Sequence, residues 1–162
     1  MLHAWKSHAT SPALALLLPT VEQPALSKND IAEKANKMLL DFSYLCKSPT
    51  SEYFTAVYFT HMVIHRVFVY APKLYLHIDQ TAPHAPLDNL FALAATAVAA
   101  NLQEYRVPGK RKAQSVSSKA WKADYYGAHT LITEICQDVG RQVELDQVQM
   151  WVMQQGYSLA TF

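Results

Sequence analysis

Three groupings of side chains in this sequence have types and spacings that carry chemistry. His61 and His65 stand four residues apart, which places both on one face of a helix, and two ligands at that spacing can hold zinc. The metalloprotease pattern needs Glu directly after the first histidine. Met62 stands there, and no third ligand is near in sequence. The pair therefore reads as histidines that cap or line a partly buried face, and no metal or other cofactor is expected. His3, His8, His77, His84 and His129 are scattered. Glu134 and Asp138 share the same spacing. Paired carboxylates can do acid–base work or bind a cation, but these read as the solvated side of an amphipathic helix.

The third grouping is the strongest. Residues 105–123 hold Arg106, Lys110, Arg111, Lys112, Lys119 and Lys122, with no acid between Glu104 and Asp124. A nucleic-acid backbone binds such a segment by charge neutralisation and counterion release, without reading sequence. Gln114 and the serines at 115, 117 and 118 can add hydrogen bonds to phosphate oxygens, and a helix starting at these serines offers free amides to an anion. Tyr105, Trp121 and Tyr125 are candidates for stacking on bases, although their spacing also fits a helical core, to which Trp121 is assigned. The formal net charge of +1 hides the asymmetry. Residues 100–123 carry six cations and one acid, whereas residues 124–162 carry Arg141 and five acids. Such contrast concerns partners rather than fold. The acidic block can also meet the basic stretch of another copy, giving a head-to-tail stack.

No glycine-rich phosphate loop, C-x-x-C pair or nucleophile elbow is present, so a binding module is expected rather than an enzyme. With 51% apolar residues the chain can bury a core, which argues against disorder. Its 162 residues fit one domain. Cys46 and Cys136 each fall within an apolar helical pattern and read as free buried thiols, so a cytoplasmic setting is the default. The apolar run at residues 13–18 is too short for a secretory signal, and no stretch of about 18 apolar residues predicts a membrane span.

The elements that must position these groups read as helices. Glycine occurs only four times, which is poor material for hairpins, while prolines divide the chain into segments. Residues 1–26 are expected to be partly irregular, with a short helix opening at Ser11-Pro12 and closing at Pro19. Ser27 with Asp30 predicts an N-cap, followed by a helix whose face carries Ile31, Ala35, Met38, Leu39, Phe42 and Leu45. Ser48-Pro49 is a second start signal, with one buried helix over residues 50–70 ended by Pro72. A connector follows over residues 73–84. Residues 87–105 form the clearest helix, whose alanine-rich centre at 92–100 predicts a central place. The next helix is expected over 118–139, with Gly140 as its stop and Trp121, Tyr125, Ala128, Leu131, Ile132, Ile135 and Val139 as its apolar face. The last spans 143–155, stopped by Gly156, with Leu145, Val148, Trp151 and Val152 inward. The sum is an all-α, single-domain bundle of about five main helices over residues 1–162.

An all-helical chain of this size, with one basic stretch over residues 106–122 and no catalytic motif, resembles the small subunit of Cascade-type CRISPR effector complexes. It looks most like variants derived from the C-terminal helical part of the large subunit, as in type I-D and I-B systems. The resemblance implies a non-catalytic subunit that stacks with other subunits, or with copies of itself, along the complex. It also implies that Arg106, Lys110, Arg111, Lys112, Lys119 and Lys122 touch phosphates of a displaced DNA strand or guide RNA. The runner-up is a helical interaction or scaffolding subunit whose basic loop docks an acidic protein surface, with no nucleic acid.

Overall fold

Methyl side chains let helices approach closely, and the alanine-rich segment uses that freedom on all sides. In a computed structural model of the chain, the described residues are 2–17, 26–70, 78, 84–109 and 118–160. Among them are six α-helices and no β-strand: α1 (Leu2–Leu17), α2 (Lys28–Asp41), α3 (Val57–Ile64), α4 (His84–Gln103), α5 (Ser118–Cys136) and α6 (Val139–Ala160). A π-helical turn, His65–Tyr70, extends α3. Helix α4 packs against each of the other five. Ala92, Ala94, Ala95, Ala97, Ala99 and Ala100 are all buried, beside Leu87, Phe91, Val98 and Leu102. The chain is thus an all-α bundle with α4 at its centre.

The first helix departs from expectation. It begins at Leu2 and runs through Pro12, although an interior proline costs about 3 kcal/mol by removing a backbone bond and crowding a carbonyl. Trp5, Ala9, Ala13 and Leu17 recur every four residues, and all are buried. Burying a large apolar side chain is worth about 1.5–3 kcal/mol, so Trp5 and Leu17 together offset the proline. Asn101 fastens this helix to α4. Its side-chain amide donates to the Lys6 carbonyl (2.8 Å) and the Ala97 carbonyl (3.0 Å), while its Oδ1 accepts from Thr10 Oγ1 (3.3 Å).

Helix α2 starts as its sequence predicts, with a reciprocal capping box between Ser27 and Asp30. That hydrogen bonding holds the Asp30 carboxyl below the usual range. The helix expected over 50–70 forms only from Val57. Residues 47–56 fold instead into turns closed by their own hydroxyls. The Ser48 N–H donates to Ser51 Oγ (2.8 Å) and the Lys47 N–H to Thr55 Oγ1 (3.1 Å), a local competition with helix that Ser and Thr favour. Phe54 holds a left-handed φ of 65°, uncommon for a bulky residue. Its ring is fully buried between Phe59 and Phe91, with centroids 5.6 and 5.8 Å away.

Two glycines act differently from their sequence reading. Gly140 does not stop α5, which ends at Cys136. It lies in the first turn of α6, where its N–H and that of Arg141 donate to Asp138 Oδ1 (2.9 and 3.1 Å). Asp138 is therefore a cap between helices and not the helical partner of Glu134, because a short carboxylate satisfies free amides best at an N-cap. Gly156 lies inside α6, where a Cβ would stand 2.3 Å from the Phe68 ring. It is kept small by close packing, not by a turn. Val139 is exposed outside the core. Cys46 is half-buried and Cys136 exposed, both free, so neither is the buried thiol expected. The expected connector over 73–84 lies almost wholly outside the described residues.

Candidate nucleic-acid interface

The end of α4 sets the geometry of the basic region. Residues 104–106 continue from the helix in a tightening turn, with the Glu104, Tyr105 and Arg106 amides donating to the Asn101, Leu102 and Gln103 carbonyls (3.0–3.4 Å). Arg106 is then held against α2. Its Nε donates to Asn36 Oδ1 (2.9 Å), and its carbonyl accepts from Asn36 Nδ2 (3.2 Å). This clamp uses one edge of the guanidinium and leaves its terminal amino groups on an exposed residue, free to meet an anion. Gly109 turns the chain at a φ of 71°, a conformation open to glycine, and the Lys28 side chain lies across it.

The two acids that bound the stretch are both turned inward. Glu104 is 3% exposed and pairs with Lys6 at 2.7 Å, so its charge is matched within the fold. Asp124 is half-buried and accepts from Gln103 Nε2 (3.0 Å). Burial pushes its carboxyl up, partly countered by that hydrogen bond and by nearby Arg106. Lys119 and Lys122, in contrast, are exposed on α5. Lys119 lies in the first turn of a helix with no acid there. A cation at that end opposes the helix dipole by a few tenths of a kcal/mol, about 0.3–1, and a bound anion would relieve this.

The predicted residues thus divide. Arg106, Lys119 and Lys122 are exposed around the α4–α5 end, while Lys110, Arg111 and Lys112 lie outside the described residues. Trp121 is buried, and Tyr125 is half-buried with its hydroxyl donating to Asn89 Oδ1 (3.0 Å). Neither presents a free face. The exposed aromatic is Tyr126, with Lys122 Nζ 5.9 Å from its ring centroid. Sequence reasoning passed over Tyr126, although its place four residues after Lys122 is the available signal. It also missed Lys28 and Asn36, for which no local sequence signal exists.

His61 and His65 do not converge. The His61 ring stacks near Trp151 (6.0 Å, 23° between planes), and His65 faces Tyr70 (6.4 Å). Among the described residues, no three His, Cys, Asp or Glu side chains are grouped to hold a metal, and no helix is long and apolar enough to cross a membrane. No protein-family model, curated protein or solved structure matches this chain.

Proposed function

We propose that this chain is a non-catalytic helical subunit that holds the backbone of a single-stranded DNA or RNA against Arg106, Lys119, Lys122 and the intervening Lys110, Arg111 and Lys112. Its setting would be a multi-subunit assembly of the Cascade type. The observation that carries the reading is the removal of the flanking acids: Glu104 is matched by Lys6, and Asp124 is drawn under Gln103. Cations left without acids nearby attract phosphates through the field they share. The two free thiols fit a reducing cytoplasm.

Electrophoretic mobility shift with two unrelated single-stranded oligonucleotides tests this. Both should bind with equal affinity, and the Lys110→Ala/Arg111→Ala/Lys112→Ala variant should bind both more weakly. Unchanged binding by that variant, or no binding by the parent chain, would overturn the assignment.

A second reading, an interaction subunit without nucleic acid, is favoured by one observation. Val139, Val143 and Met150 are exposed along α6, beside a block whose cation, Arg141, is already engaged by Glu52 at 2.7 Å. Light scattering that shows concentration-dependent assembly, unaffected by oligonucleotide, would favour that reading.

A further inference from the structure

Along the α3–α6 face, exposed polar side chains border an aromatic pair. A groove of about 610 Å³ is lined among others by Lys47, Val57, His61, Glu144, Gln147 and Trp151. That volume suits a small ligand, for which pockets of about 300–1,000 Å³ are usual. Helix α6 presents Glu144, Gln147 and Trp151 at spacings of three and four, hence on one side. From α3, the His61 ring stacks nearly parallel to the Trp151 indole, with centroids 6.0 Å apart. A smaller recess of about 100 Å³ shares this ring pair, with Gln155 and Leu159 behind it. Trp151 is 40% exposed, whereas Trp5 and Trp121 are buried.

The threonines in the groove are already engaged. Thr55 Oγ1 donates to the Glu52 carbonyl (2.6 Å) and Thr60 Oγ1 to the Val57 carbonyl (2.9 Å). By contrast, the side chains of Lys47, Glu144 and Gln147 make no hydrogen bond or ion pair to a described residue. The groove therefore offers a flat apolar wall, one cation, one carboxylate and one amide together.

An aromatic acid would satisfy Lys47 and leave Glu144 facing an acceptor. An aromatic amine would do the reverse. A ligand that answers all four groups is flat, bears an amine that donates, and carries an anion. We infer that this groove binds one adenine nucleotide, whose exocyclic amine donates to a carboxylate while its adjoining ring nitrogen accepts from an amide N–H. The base stacks on Trp151, as unpaired bases stack on aromatic side chains. Its exocyclic amine donates to Glu144, Gln147 meets the adjoining ring nitrogen, and Lys47 pairs with the phosphate. The nucleotide is either free or an unstacked member of a single strand. The inference stands apart from the backbone-binding reading, because it uses none of the same residues.

Tryptophan fluorescence tests it directly, since Trp151 is the exposed indole. Adenosine monophosphate and a short oligoadenylate are titrated into the full chain, with Trp151→Phe correcting for absorbance. Saturable quenching that disappears in Trp151→Phe is expected from at least one of them. Saturation by the mononucleotide identifies a free ligand, and saturation by the oligonucleotide alone identifies a strand. Purine riboside monophosphate, or the corresponding oligonucleotide, replaces the amine by hydrogen and leaves N1 an acceptor, and should bind at least about tenfold more weakly, because Glu144 then lacks its donor. Glu144→Ala should erase that preference. The Lys110→Ala/Arg111→Ala/Lys112→Ala variant should leave mononucleotide quenching intact, which separates this site from the basic stretch. No saturable quenching by either ligand, quenching that persists in Trp151→Phe, or equal binding of the adenine and unsubstituted purine forms would overturn the inference.

Discussion

At the α4–α5 end, the charges that would oppose Arg106 are internal: Glu104 pairs with Lys6 and Asp124 lies under Gln103. In the α3–α6 groove, Lys47 and Glu144 both stand free beside an aromatic wall. The first region exposes Arg106, Lys119 and Lys122, all of one sign. The second has shape, with both signs present. One-signed charge suits a polyanion held by its repeating phosphates. A concave wall with mixed polar groups suits one small ligand, which it orients. The comparison also shows how the fold separates the two regions. The basic end depends on the α1–α4 contact, and the groove on the seat of α6 against the π-helical turn.

The variant with the largest expected effect attacks the support of the basic end. Glu104→Gln removes the carboxylate paired at 2.7 Å with the Lys6 ammonium, itself mostly buried. Breaking one half of a buried pair costs about 3 kcal/mol or more, and urea denaturation should show a loss of that size. The same variant should leave nucleotide quenching at Trp151 unchanged under native conditions.

Gly156→Ala is the complementary test. Its new methyl meets the Phe68 ring, a T-shaped partner of Tyr157 at 5.3 Å, and overpacking of this kind costs about 2 kcal/mol. The expected outcome is a lower thermal midpoint together with altered quenching of Trp151, while oligonucleotide binding at the basic end persists.

Acid titration gives a smaller effect of either sign. The paired hydrogen bonds from Arg141 (2.7 and 2.9 Å) hold the Glu52 carboxyl below the usual glutamate range. A depressed value means stability present above the unfolded-state value and lost as pH falls through the folded one. Glu52→Gln should therefore cost about 1 kcal/mol at neutral pH, and the difference from the parent should vanish in acid. Asp124 is raised by burial, so it opposes folding above its folded value and ceases to do so in acid. Asp124→Asn should leave neutral-pH stability unchanged or slightly higher, as chemical denaturation at two pH values can read.

Much of this architecture is legible in the sequence because it rests on local rules. Ser27 and Asp30 announce a cap, and the alanines of α4 call for a central helix. The contiguous cations at 106–122 are visible for the same reason. What the sequence reading missed depends on partners distant in the chain. The four-residue stripe of α1 is outweighed, on paper, by Pro12, and only its burial against α4 reverses that. Glu104 reads in sequence as an opposing acid, and its partner Lys6 lies 98 residues away. Gly156 has the look of a stop until Phe68 is seen against it. The groove draws on residues from 47 to 151, and no linear motif can record that convergence.

The salt dependence of single-strand binding tests the central claim most directly. Each phosphate contact on a single strand contributes about 0.7 to the slope of log affinity against log salt. A steep negative slope is expected for the parent chain, shallower by about 2 in an Arg106→Ala/Lys119→Ala/Lys122→Ala variant. A slope that is flat in the parent, or identical in the variant, would contradict it.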